Sequence, residues 1–186
     1  MLGYLSPISY WKQWIAEGMP TLDETILFNK HSGYNRCCID SPNGPLTLTV
    51  PIRKFEGNSC SLGKVQISEH GDWRHKHWHA LSSTYYNSPF FEYYQDEFRP
   101  IYFGHQEHLI EFNTQLNNLI IKLLDIEFLQ RSNLNYKSST LQYYQVFAHK
   151  HGFIADLSII DLLFNIGPES LLFLKRLKIS ADVAHQ

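Results

Sequence analysis

Apolar residues alternate with polar ones early in the chain, then switch to a spacing of three and four from Gly71 onward. After a short apolar entry at 2–5, Ser9 is placed to cap a helix carrying Tyr10, Trp11, Trp14 and Ile15, which Gly18 and Pro20 end. Residues 24–29 predict a strand centred on Thr25 to Phe28, and a turn follows at 31–33. The runs 36–39 and 46–51 flank Asn43-Gly44, a hairpin signal, and 64–67 adds a short strand. Trp73, His77, Leu81 and Tyr85 then recur every four residues, one row of a helix. Pro89 either breaks that pattern or opens a second helix through Tyr93 and Phe98. Residues 109–128 carry the clearest helical stripe: Leu109, Phe112, Leu116, Leu119, Ile120, Leu123 and Leu124. Segments 136–140 and 143–147 stay open between strand and loop. Ser158 and Asp161 have capping-box spacing at the start of a helix over 159–165; Gly167 ends it and Pro168 starts another through Leu177. Strands first and helices later predict an α+β fold, a small, mainly antiparallel sheet from the N-terminal half packed against C-terminal helices. The whole chain, 1–186, is expected to form one domain, strand-rich over 1–68 and helix-rich over 71–180.

Composition sharpens this picture in two places. Hydrophobic residues make up 44% and charged residues 18%, which predicts an ordered globule. Aromatics reach 15%, and the stretch 81–94, LSSTYYNSPFFEYY, concentrates them. Each buried phenol needs a hydrogen-bond partner, so this stretch points to a polar-lined pocket or an aromatic interaction surface. The net charge of −2, with no basic stripe, disfavours nucleic acid as a partner. The apolar runs 119–124 and 159–164 are far too short for a membrane span. The first residues carry no basic region of a secretory signal, and the odd set Cys37, Cys38 and Cys60 suits a reducing cytoplasm.

Several groups are candidates for chemistry. His70, His75, His77 and His79 are dense, and His75 and His79 lie one helical turn apart. His77 points to the other side of such a helix, so a closed metal site is not expected. Cys37 or Cys38 with a distant His would make a thiol nucleophile, but strand cysteines are more often simply buried. Ser61 and Lys64 match a Ser-x-x-Lys spacing that Gly63 in a turn makes accidental. No phosphate-binding glycine loop, His-Glu-x-x-His or Cys-x-x-Cys is present, so no cofactor is expected. Arg36 suits either a surface ion pair or a clamp for a carboxylate or phosphate. Asp161 reads as a helix cap, with a pocket carboxylate as the other reading.

Taken in order, several segments resemble the WbqC-like protein family. They are Tyr4-Leu-Ser-Pro7 with the following Ile8-Ser-Tyr-Trp11, Tyr34-Asn-Arg36, Asn43-Gly44 and Leu48-Thr-Val-Pro51. Trp73, Lys76-His77, Tyr85, Ser88-Pro-Phe-Phe91 and Tyr94 follow, then Leu157-Ser-Ile-Ile-Asp161 with Asn165. The chain departs from the family pattern at Gly3, in the neighbourhood of a usual Gln, and in a C-terminal portion reduced to 137–154. The resemblance implies a bacterial protein that acts in assembling O-antigen-like surface polysaccharide, for example by acyl or aminoacyl (glycine) transfer to an amino sugar.

On that reading His77 is the general base and Tyr85 a second catalytic group, while Arg36, Tyr34 and Tyr94 hold a small-molecule or sugar ligand. His77, Tyr85, Arg36 and Asp161 are then expected around one concavity. Two alternatives stand beside it: a non-enzymatic module that binds protein or glycan through 81–94, and a metal-dependent hydrolase built on the His cluster.

Overall fold

The computed structural model describes residues 2–20, 23–28, 33–57, 59–126 and 142–176. The expectations at 31–32, at 127–128, over 136–140 and at Leu177 lie outside the described residues.

Helix α1 (Ile8–Ala16) starts after Pro7 rather than at Ser9. Pro7 has a φ of −56° and lacks only a donor that a helix start leaves unused. Ser9 instead directs its N–H and its hydroxyl to the Asp156 carboxylate, at 2.8 and 2.7 Å. Strand β1 (Leu27–Phe28) pairs antiparallel with β4 (Cys60–Ser61). Strands β2 (Arg36–Ser41) and β3 (Gly44–Thr49) form a hairpin in register from Arg36↔Thr49 to Ser41↔Gly44. Its turn is centred on Pro42-Asn43, one residue earlier than an Asn-Gly turn. The fixed φ of proline suits the first turn position, and Gly44 takes the left-handed φ of +98°. The strand expected at 64–67 is a 3-10 turn over Leu62–Lys64 followed by single bridges, Ile52↔Ile67 and Gln66↔His108. Among the described residues the strands form two separate two-stranded antiparallel sheets, and the fold is α+β.

The helices that follow are α2 (Trp73–Tyr85), α3 (Phe91–Tyr102), α4 (Leu109–Leu123), α5 (Ala148–His151), α6 (Ile159–Ile166) and α7 (Ser170–Arg176). The periodicity predicts all but α5, and α7 begins after a 3-10 turn over Gly167–Glu169 rather than at Pro168. The row Trp73, His77, Leu81 and Tyr85 is buried along the length of α2. On α4 the buried stripe is Leu109, Phe112, Leu116 and Ile120. Helix α6 is buried on every side from Ile159 to Asn165, as expected of a helix at the centre of a domain. The Phe164 ring meets Tyr85, Phe91 and Phe98 edge-on, with centroids 5.1 to 5.4 Å apart. The buried apolar residues form one cluster that draws on both the strand-rich and the helix-rich parts.

The N-terminal segment is threaded into this core and tied at both ends. Tyr4 N–H donates to the Tyr34 carbonyl. Ile8 N–H reaches the Leu157 carbonyl, and Ile159 N–H returns to Ser6. Ser158 N–H donates to Cys38 of β2, so the start of α6 joins two segments more than a hundred residues earlier in the chain. Among the described residues no helix is long and apolar enough to cross a membrane.

Candidate functional site

Side chains alternate across the β2–β3 hairpin. Cys37 and Ile39 turn into the core; Arg36, Cys38 and Asp40 share the opposite face, where Thr49, Thr47 and Pro45 stand across from them. The N-terminal turn closes over this face. Gly3 N–H donates to the Ser6 hydroxyl at 2.7 Å, and a Cβ on Gly3 would come within 2.8 Å of the Tyr34 Cα. Only glycine allows that approach. The result is a pocket of about 230 Å³. Its walls include Tyr10, Tyr34, Arg36, Cys38 and Thr47, with Ser6 and Pro7 at the N-terminal turn.

Asp40, two residues beyond Cys38, is 1% exposed. Its Oδ1 lies 2.5 Å from His151 Nε2 on α5, while Oδ2 is buried with no partner among the described residues. Asp161, on the first turn of α6, is fully buried. Its carboxylate accepts the Tyr85 and Tyr143 hydroxyls, at 2.8 and 2.6 Å, and the Asn165 amide at 3.4 Å. Burial raises the Asp161 carboxyl to about 6; the phenols and Asn165 pull it back, and Asp40 pushes it up. Burial, then the Asp40 and Asp161 carboxylates, raise the Cys38 thiol, while burial and Cys38 raise Cys37. Neither cysteine is held as a thiolate nucleophile.

Of the expected site residues, Tyr34 and Arg36 line this one pocket, and His77, Tyr85, Tyr94 and Asp161 are not among its walls. The expected concavity joining Arg36 to His77 and Tyr85 is therefore corrected. The α2 row follows the strands in sequence, but it carries His77 and Tyr85 into the core. His77 Nδ1 meets the Tyr4 hydroxyl at 2.9 Å, and that hydroxyl meets Tyr102 at 2.9 Å. The imidazole also bonds the Thr49 backbone, and burial lowers its pKa to about 4. The ring is therefore neutral near pH 7, with the Thr49 carbonyl taking an N–H and Nδ1 accepting from Tyr4. Tyr85 is spent on Asp161. Tyr94 is half-buried on α3 and stacks on Phe90 with centroids 6.3 Å apart. Burial, and after it Glu97, raise its phenol.

Asp161 also departs from the capping reading. Its carboxylate goes to the phenols, and the Ser158 N–H it was expected to cap goes to Cys38. Ser158 itself caps α6 by accepting from Ile160 N–H, and its hydroxyl donates to the Leu5 carbonyl at 2.8 Å.

His75 and His79 are exposed on α2, and His75 Nδ1 lies 2.9 Å from Asp72. With His77 in the core, the three imidazoles do not converge. Among the described residues no group of three or more His, Cys, Asp or Glu side chains is placed to hold a metal ion. Sequence reasoning missed Tyr10, Asp40 and His151. The alternation Arg36, Cys38, Asp40 was readable as one strand face; nothing in the sequence ties His151 to it.

A small pocket where an N-terminal Tyr/Pro turn crosses a Tyr-Asn-Arg strand start is the arrangement these segments build. The chain belongs to the WbqC-like protein family, whose model matches residues 4–136. The Ser158–Asp161 segment and Asn165, also part of the resemblance, lie beyond the matched residues. No curated protein and no solved structure matches the chain.

Proposed function

We propose that this protein binds a single anionic sugar unit in the Tyr10–Tyr34–Arg36 pocket and acts in surface-polysaccharide assembly, taking part in acyl or aminoacyl transfer to an amino sugar. The observation that carries the reading is that Tyr34 and Arg36 share one pocket with Tyr10. Phenol rings offer flat apolar faces for a sugar ring, and a guanidinium suits a carboxylate or phosphate. At about 230 Å³ the pocket lies below the ~300–1,000 Å³ usual for drug-sized ligands, a size for one ring rather than a chain. The transfer and the polysaccharide setting come from the family resemblance. We read residues 1–186 as one domain of this type, supported by the single core cluster. We place it in the cytoplasm, where Cys37, Cys38 and Cys60 stay as the free thiols seen here.

Isothermal titration with glucosamine 6-phosphate and with N-acetylglucosamine 1-phosphate tests the pocket. Binding should weaken about tenfold or more in Arg36→Ala, the loss of a charge-assisted hydrogen bond. Tyr34→Ala should weaken it as well. Sugar-phosphate binding that both variants leave intact would remove the pocket from the function, and so would no binding at all.

One observation favours a second reading. Within 81–94, Tyr86 and Tyr93 stand 78% and 76% exposed, which suits a module that docks a protein or glycan through exposed rings of that stretch.

A further inference from the structure

We propose that Asp40 and His151 form an acid–base pair beside the pocket, with His151 the catalytic group that meets the bound ligand from its edge and Asp40 the residue that positions it. The inference rests on the pocket reading above. Arg36, Cys38 and Asp40 occupy one face of β2, and alternate residues on a strand face are about 6.7 Å apart. Arg36 and Cys38 line the pocket; Asp40 and His151 are not among its walls, and Asp40 stands one strand step beyond Cys38 on the same face. His151 covers Asp40 there. With Asp40 Oδ1 accepting from Nε2–H, the lone pair of the imidazole lies on Nδ1. That nitrogen makes no hydrogen bond among the described residues, and the side chain is 23% exposed, open enough to meet a ligand. Phe147 stacks on the ring with centroids 6.3 Å apart, which limits its rotation. His77, by contrast, has both nitrogens engaged in the core. Asp40 falls within the family match, and His151 lies beyond it.

In the transfer step, the amino nitrogen of the bound sugar forms a bond to the carbonyl carbon of an activated ester or thioester. The bond from that carbon to its oxygen or sulfur leaving group breaks. The proton lost by nitrogen passes to His151 Nδ1 and then to the departing alkoxide or thiolate.

Affinity alkylation of the full-length protein by N-bromoacetylglucosamine tests the assignment. An imidazole nitrogen within reach displaces bromide, forming a carbon–nitrogen bond, and peptide mass mapping locates it. Labelling should saturate, be blocked by N-acetylglucosamine, and fall on His151. It should vanish in His151→Gln and slow about tenfold in Asp40→Asn, where the ring is no longer held in one tautomer. If Asp40→Asn does not fold, the map of the unmodified sequence decides alone. Protectable labelling at Cys38 or Tyr10 in place of His151 would overturn the pair and leave the pocket standing. Labelling that neither saturates nor responds to N-acetylglucosamine, spread over His70, His75, His79, His105 and His149, would remove the pocket and the pair together. A pair that merely anchors α5 to β2 gives no sugar-protected alkylation of His151.

Discussion

His77 and Asp161 are buried ionisable groups whose shifts run in opposite directions. His77 falls from an ordinary 6.5 to about 4, because burial disfavours the imidazolium. Its neutral form contributes stability that is present above 6.5 and lost as pH falls through about 4. Asp161 rises from 3.8 to about 6, so its protonated form contributes stability that is present below 3.8 and lost as pH rises through about 6. Each shift corresponds to about 3 kcal/mol, and between pH 4 and 6 the two nearly cancel. His77→Gln should therefore leave a protein whose stability falls, relative to wild type, as pH rises from 4 to 6. Asp161→Asn should do the reverse. Urea midpoints at pH 4, 5, 6 and 7 measure both, and three parallel profiles would show that neither group is linked to folding in this way. The inward side of α2 that carries His77 was legible from its four-residue spacing. The partner that occupies Nδ1, Tyr4, lies 73 residues away and was not.

Elements whose signal is periodic were readable: α2 and α4 follow their apolar rows closely. Elements decided by one contact were not. Helix α1 begins at Ile8, after Pro7, with the donors of Ser9 taken by Asp156, and 64–67 has only single bridges where a strand was expected. The turn that crosses Tyr34 is the most exacting of these local features. Its Gly3 faces backbone, not a flexible side chain, so a methyl group there has nothing that can yield cheaply. Gly3→Ala should lower stability by about 1–3 kcal/mol, the usual cost of overpacking, and weaken sugar-phosphate binding with it. Urea unfolding and titration of the same sample check this. Unchanged values for both would mean that the turn moves aside freely.

Across the whole molecule the first residues and the last helices depend on each other. The family match ends at 136, yet Pro7 bridges Ser158, Cys38 accepts from Ser158, and Phe164 fills the space among Tyr85, Phe91 and Phe98. Removing Phe164 alone leaves a cavity of the kind that costs about 3–5 kcal/mol, a large part of a domain's net stability. A chain cut after residue 136 also strands the Tyr85 hydroxyl and the core face of the N-terminal segment. It should show no cooperative urea transition by tryptophan fluorescence and should bind an exposed-surface dye. A sharp transition in the shortened chain would mean that 142–176 is an addition to a core complete without it.

Local patterns by themselves determined the α+β order, the inward rows of α2 and α4, the β2–β3 hairpin, and Tyr34 and Arg36 as neighbours at a strand start. Such features depend on residues a few positions apart, where the helical and strand repeats hold. Tertiary structure alone decided what each polar group is for. Asp161 and Ser158 have the spacing of a cap, but two phenols from α2 and the 143 loop reach the carboxylate first. His77 and His151 are both imidazoles near polar residues; one is enclosed by Tyr4, Trp73 and the Thr49 backbone, and the other stands half open on Asp40. Burial and long-range partners set protonation and access, and neither is written in the spacing of residues along the chain.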